Sequence, residues 1–118
     1  MAKAIRIFQF TLNPNVQAEE FERFVAEQLT KAPQVSGIRI RFLKCDRHSQ
    51  GELMRTYINE LEFDNVEIRD RNFPTVSETS AEFDEWWAEH GTLWGKFHSM
   101  VEGRYIDYID YEEWKGMA

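Results

Sequence analysis

The sequence predicts an α+β fold in which four strands and two helices follow the order strand, helix, strand, strand, helix, strand. Three observations carry this prediction. The chain of 118 residues is 42% hydrophobic and 30% charged, which is typical of one globular domain spanning residues 1–118. Four stretches have the β-branched, aromatic or alternating residues of strands, and two have helical spacing. The order of these elements is the split βαβ plan, with a four-stranded antiparallel sheet.

The first strand and the first helix are predicted from their apolar residues. Residues 3–12 have apolar side chains in both alternating sets, as in a central strand that is covered on both faces. From about Val16 to Lys31, apolar residues recur at spacings of three and four, which indicates an amphipathic helix. Those residues are Phe21, Phe24, Val25 and Leu29.

The second and third strands are predicted to form a hairpin over residues 38–45 and 53–63. Alternation in the second strand places Arg39 and Arg41 on one face. Glu60 and Glu62 share a face of the third strand. If these faces coincide, the two arginines meet the two glutamates across neighbouring strands, which stabilises the hairpin.

The second half of the chain begins with its least regular stretch, residues 64–80, for which we expect a short helical turn up to Phe73. Thr79 or Ser80 is a candidate cap for the second helix. Residues 104–114 alternate tyrosine, isoleucine and aspartate, which predicts the last strand.

The second face of the sheet is expected to need a partner. Two helices cover one face of a four-stranded sheet, yet the first, third and last strands carry apolar or aromatic residues on both faces. A second copy of the chain is the simplest partner, because dimers with twofold symmetry are the commonest oligomers. We therefore expect a homodimer.

Charge and composition argue against several other partners. The net charge of -7 repels phosphate backbones, so nucleic acid is not an expected partner. The apolar runs are too short to cross a membrane, and no signal peptide is recognisable. The single cysteine, Cys45, cannot form an internal disulfide. Together these features favour a cytoplasmic protein.

Residues 82–100 hold three of the four tryptophans and two of the three histidines. On one continuous helix, six of the side chains from Phe83 onward follow at steps of four and three, with His90 in the middle and facing the sheet. They are Phe83, Trp87, His90, Trp94, Phe97 and Val101. His90 is then either a core histidine, hydrogen-bonded to a tyrosine or a backbone carbonyl, or part of a pocket wall.

Two glycines lie in the same segment and have more than one interpretation. Gly91 and Gly95 lie beside each other on a helix flank, and each lowers helix stability relative to alanine. Either a ligand, the partner subunit or the first helix approaches closely there, or one helix ends at Gly91 and another begins at Thr92.

The element order, the segment RTYINELEF and the tyrosine-rich ending RYIDYIDYEEW resemble the dimeric α/β-barrel superfamily of ferredoxin-like proteins. The segment ELEFDNVEIRDRNFP is similar to a strand and insertion in NIPSNAP-like members of this superfamily. The chain also resembles antibiotic-biosynthesis-monooxygenase-like members. The resemblance implies a ferredoxin-like βαββαβ fold and a homodimer that closes an α/β barrel. It implies no single activity, since the superfamily includes cofactor-free and haem-degrading monooxygenases.

In the haem-degrading members, a histidine of the second helix is the axial iron ligand, and His90 is the residue that matches it. Those enzymes also use an asparagine on the first strand and a tryptophan on the third. Here the first strand has Gln9, and the third has Tyr57 and Asn59. We therefore expect no haem, no other cofactor and no metal.

The function that the sequence favours is binding of a small hydrophobic or aromatic molecule in an aromatic pocket between the sheet and the second helix. The expected ligand-binding residues are Tyr57, Asn59, Trp87, His90, Trp94 and His98. One alternative is a cofactor-independent or haem-using monooxygenase, and another is a structural or regulatory dimerisation module without a ligand. Catalytic residues are not predicted, because the histidines and strand acids form no recognisable pair.

Overall fold

The computed structural model describes residues 2–32, 34–35, 37–47, 49, 56–76, 78–102 and 107–114. Within these ranges the chain forms four strands and four helices. The strands are β1 (Ala4–Thr11), β2 (Ile38–Lys44), β3 (Thr56–Phe63) and β4 (Tyr108–Glu112). The helices are α1 (Ala18–Phe24), which continues as a π-helical turn over Val25–Leu29, α2 (Val66–Asn72), α3 (Ala81–His90) and α4 (Thr92–Met100). The predicted α+β class is confirmed.

The described strands form one antiparallel sheet in the order β2-β3-β1-β4. Since β3 pairs antiparallel with β1 on one side and with β2 on the other, β1 and β2 run parallel to each other. In the same way, β3 and β4 run parallel with β1 between them. Each helical connection therefore joins two parallel strands across a third, which is the split βαβ connection.

The predicted pairing between β2 and β3 is confirmed. Arg39 lies opposite Glu62, and Arg41 lies opposite Glu60. Arg41 Nε donates to Glu60 Oε1 at 3.0 Å, and Arg39 Nε donates to Glu62 Oε2 at 3.3 Å. These side chains stand on the face of the sheet turned away from the helices, which we call the open face.

The other face of the sheet packs on the helices and forms the core. Phe97 of α4 is fully buried and contacts the rings of Phe10, Phe21 and Phe42 at centroid distances of 5.3–5.8 Å. A smaller cluster at the other end of the sheet surrounds Phe63. The core therefore extends along the covered face from α1 and α4 toward α2.

The predicted second helix is two helices. Ser80 caps α3, since its Oγ accepts from the N–H of Phe83 at 3.1 Å, and α3 ends before Gly91. A Cβ on Gly91 would collide with the carbonyl oxygen of Trp87 and lie 2.9 Å from its ring. The close approach at Gly91 therefore comes from the preceding turn. At Gly95 a Cβ would meet nothing within 4 Å, so the first helix does not approach Gly95 closely.

The irregular stretch contains α2, which agrees with the helical turn predicted up to Phe73. Asn65 caps α2 by accepting from the N–H of Ile68 at 2.9 Å. The first helix with its π-helical turn is shorter than predicted at both ends, since Gln17 is its N-cap and Thr30 its C-cap. Residues 53–55 and 104–106, which begin the predicted third and last strands, lie outside the described residues.

Candidate functional site

A cavity of about 560 Å³ lies between the covered face of the sheet and helices α3 and α4. The sheet contributes aliphatic and aromatic side chains to its floor, and the helices contribute a wall of rings. The floor includes Phe8, Ile38, Ile40 and Leu61. The helical wall includes Phe83, Trp86, Trp87 and Trp94. One side is lined by Phe73, Thr75, Val76, Glu78 and Thr79.

The helical wall is held together by ring-to-ring contacts. Phe83 lies 4.7 Å from the ring of Phe73 and 5.7 Å from that of Trp86. Trp87 of α3 stacks on His98 of α4, with centroids 5.9 Å apart and planes 24° apart. Such contacts fix each ring in place, so the cavity has a defined shape.

Arg6 lies on the sheet side of this cavity and is fixed on three sides. Its Nε donates to Asp110 Oδ1 at 2.8 Å, and its Nη2 donates to Asp110 Oδ2 at 3.1 Å. The guanidinium lies 3.8 Å from the ring centre of Tyr108 and 4.6 Å from that of Phe73. Its side chain is only 6% exposed, and that of Asp110 is 25% exposed. A buried cation is tolerated here because a carboxylate and two rings stabilise it.

Other polar groups of the cavity wall are also buried. Asn59 of β3 is fully buried, and its Nδ2 donates to the carbonyl oxygen of Arg41 at 3.4 Å. Trp86 and Trp94 each have an indole Nε1 that is closed off from solvent and has no hydrogen-bond partner among the described residues. Buried donors of this kind are uncommon in native proteins.

Four of the six residues expected to bind a ligand line this cavity: Asn59, Trp87, Trp94 and His98. Tyr57 lies in the neighbouring core, stacked on Phe10 at 5.7 Å. Its hydroxyl donates to Glu22 Oε2 at 2.9 Å. This hydrogen bond, together with one from Lys44, lowers the pKa of Glu22 below its ordinary value.

His90 is the other exception among the six. It ends α3, its side chain is 31% exposed, and its ring lies 5.8 Å from that of Trp86. The cavity lining resolved by the structure does not include His90. The predicted stripe assumed one continuous helix through Gly91. Because α3 ends before Gly91 and α4 begins after it, residues on the two helices no longer share one face at the predicted spacing.

Arg6, Trp86 and Asp110 are among the residues of the site that sequence reasoning did not assign to the pocket. Arg6 was visible as a lone cation in the core-facing set of a strand whose other members are apolar, a pattern that indicates a buried charge needing a partner. That partner could not be named, because the register between β1 and β4 sets it. Trp86 is not one of the residues in the predicted helical stripe, which includes its neighbour Trp87.

Burial lowers the pKa of His98 below its ordinary value of 6.5, although part of its side chain reaches solvent, because the packed rings around it desolvate the charged imidazolium. In the unfolded chain this histidine takes up its proton at a higher pH than in the folded chain. The contribution of His98 to the stability of the fold is therefore fully present above pH 6.5, and it is lost as the pH falls through the folded-state pKa.

We expect NMR titration to give a folded-state pKa below 6.5 for His98. The fluorescence of Trp87 should decrease over the same pH range, since a protonated imidazole stacked on an indole quenches it. His98→Gln should abolish this fluorescence change, whereas His90→Gln should keep it. An unchanged transition in His98→Gln would contradict the assignment.

The described residues contain no group of three or more histidine, cysteine, aspartate or glutamate side chains placed to hold a metal ion. None of the helices in the described ranges has the length and apolar character needed to cross a membrane. Comparison with models of known protein families gives no match, and no curated protein matches significantly. A functional assignment for this chain therefore rests on the chemistry of the cavity.

Proposed function

We propose that this protein binds a small hydrophobic or aromatic molecule in the cavity between the sheet and helices α3 and α4. The observation that carries the proposal is an aromatic-walled cavity of about 560 Å³. Ligand sites in proteins typically have volumes of about 300–1,000 Å³, apolar and aromatic walls, and a few fixed polar groups. Arg6 and Asn59 are the fixed polar groups here.

A purely structural module is the less favoured alternative. Protein interiors are close-packed, and side chains lining a space lose the contacts that a filled core would provide. A module without a ligand would gain stability by filling this space. The monooxygenase alternative needs a reactive group or an iron ligand in the cavity, and none of the described contacts favours it over simple binding.

The proposal can be tested with N-phenyl-naphthylamine, an uncharged dye that fluoresces in apolar sites. We expect saturable binding of one dye per chain. Leu61→Trp fills the cavity from its floor and should weaken binding about tenfold or more, the loss expected when a large ring occupies the site. Leu43→Trp is the matched control, because Leu43 lies on the open face of the sheet and is 43% exposed. Equal dye affinity in Leu61→Trp and Leu43→Trp would contradict the proposal.

We infer further that the chain follows the ferredoxin-like plan and pairs with a second copy through the open face. The two split βαβ connections support the plan. On the open face, Ile109 is 58% exposed and Tyr111 is 50% exposed, and they lie opposite Ile7 and Ile5 of β1. This cluster forms a contiguous apolar strip, and such surfaces commonly mark protein interfaces.

Sedimentation at micromolar concentration should therefore give twice the mass of the chain. Ile109→Glu should shift the species to monomer, since it places a charge in the apolar strip. Val76→Glu is the control: Val76 is more exposed still, at 82%, and its carbonyl accepts from Tyr108 on the opposite face of the sheet. A wild-type monomer would contradict the pairing.

A further inference from the structure

The cavity crosses all four strands of the described sheet. Ile40 of β2, Leu61 of β3 and Arg6 of β1 line it and lie side by side in the strand register. At the other edge of the sheet, Tyr108 of β4 lines it and pairs with Phe8 of β1. The distance from β2 to β4 is three strand spacings, or about 14 Å. The cavity is therefore long enough for a molecule of two joined rings.

The polar side chains in the interior of the cavity are closed off from a ligand. Asn59 is fully buried, and the indole Nε1 atoms of Trp86 and Trp94 are closed off from solvent. The side chain of Arg6 is 6% exposed, forms two hydrogen bonds with Asp110 and lies against two aromatic rings. A polar atom that water cannot contact cannot bond to a ligand in the same space. The interior of the cavity therefore presents mainly carbon.

The exposed polar residues of the lining lie at its rim. Among the described residues they are Thr75, Glu78, Thr79 and His98. The first three belong to the segment between α2 and α3, whose backbone accepts a hydrogen bond from the hydroxyl of Tyr108 at 2.9 Å. His98 lies on α4 and stacks on Trp87, which is 36% exposed. A ligand can therefore find hydrogen-bond partners at the rim, where solvent is also present.

We propose that the ligand is an elongated molecule with a hydrocarbon body and a single polar group at one end. This inference rests on the proposed function, since it names the class of molecule that the same cavity takes. The body lies between the sheet and the rings of α3, and the polar end lies at the rim. A polar group in the middle of the body would lose its hydration without gaining a partner.

Two isomeric alcohols test the position of the polar group. Para-benzylphenol carries its hydroxyl at one end, diphenylmethanol carries it between the two rings, and diphenylmethane is the hydrocarbon reference. Calorimetry gives each Kd, which is corrected for the octanol–water partition of the compound. In the wild-type protein we expect para-benzylphenol to bind about as tightly as diphenylmethane. Diphenylmethanol should bind about tenfold or more weakly, the effect of burying a hydroxyl without a partner.

A variant of the cavity floor then tests whether the interior causes this difference. Leu61→Asn places an amide on a central strand, where it can hydrogen-bond to the central hydroxyl of diphenylmethanol. The Kd of diphenylmethanol divided by that of para-benzylphenol should fall about fivefold or more in this variant. Taking the ratio cancels the change in packing that both isomers share. Leu43→Asn is the matched control, because Leu43 lies on the open face and is 43% exposed, so the ratio should keep its wild-type value.

The outcomes are distinguishable. If none of the three compounds binds, the proposed function fails together with this inference. If they bind and the corrected Kd ratio of the two alcohols in the wild-type protein is one or less, the inference is overturned while the proposed function stands. A ratio that is the same in Leu61→Asn and Leu43→Asn would contradict an interior without partners. If Leu61→Asn does not fold, the wild-type ratio and Ile40→Thr, a smaller change on the neighbouring strand, decide the result.

Discussion

Replacing Phe97 with alanine is expected to lower the free energy of unfolding by about 3–5 kcal/mol, the range for removing a fully buried ring. Phe97 is fully buried and contacts Phe10, Phe42 and Trp94, so the substitution leaves a void at the point where α4 meets the sheet. Urea denaturation followed by circular dichroism measures the change.

Phe83→Ala makes the same chemical change at the cavity wall and is the control for Phe97→Ala. Phe83 is half-buried, and one side of its surroundings is the cavity. Removing the Phe83 ring enlarges an existing space, so Phe83→Ala should lower the free energy of unfolding by less than half as much as Phe97→Ala. Equal losses for the two variants would mean that the cavity is packed as tightly as the core.

Asp110→Asn is expected to lower the free energy of unfolding by about 2–4 kcal/mol, because it leaves the charge of Arg6 buried without a counterion. The value lies toward the lower part of the range for buried pairs, since the Asp110 side chain is 25% exposed. The neutral amide keeps the shape of the carboxylate, so the loss reports on charge rather than on packing. Thermal and urea unfolding both measure it.

The control for Asp110→Asn is Asp64→Asn. Asp64 pairs with Arg39 at 2.7 Å, but both side chains are 50% exposed. Exposed pairs of this kind contribute about 0–1 kcal/mol, so the control should change stability little. The double variant Arg6→Met/Asp110→Leu should recover much of the loss, because it removes both buried charges. A loss for Asp110→Asn no larger than that of the control would show that Arg6 does not depend on its counterion.

The pairing of β2 with β3 was predictable from the sequence because its signals are local. Alternation in β2 placed Arg39 and Arg41 on one face, and opposite charges on β3 matched them in register. The break at Gly91 was one of two open interpretations, since a glycine with helical neighbours is compatible with a continuous helix as well as with a helix end. The contact that goes with the break is local, because the Gly91 backbone lies against Trp87 in the preceding turn of α3.

The cavity was harder to predict than the sheet. The aromatic residues of α3 and α4 were recognised, but a ring that fills a core and a ring that lines a space have the same sequence signal. Trp94 shows why, since it packs against Phe42 and Phe97 and also lines the cavity. The pair of Arg6 and Asp110 depends on the register of two strands that are far apart in the chain. No periodicity encodes such a pair.

The distribution of ion pairs between the two faces of the sheet has a consequence for the response to salt. The pairs formed by Arg39 and Glu62, by Lys3 and Glu62, and by Arg41 and Glu60 all lie on the open face and reach solvent. Added salt screens such charges strongly, whereas the buried pair inside the sheet-helix layer is screened much less. Ionic strength should therefore alter the proposed association of two copies through the open face, while the proposed binding of an uncharged molecule in the cavity should stay nearly unchanged.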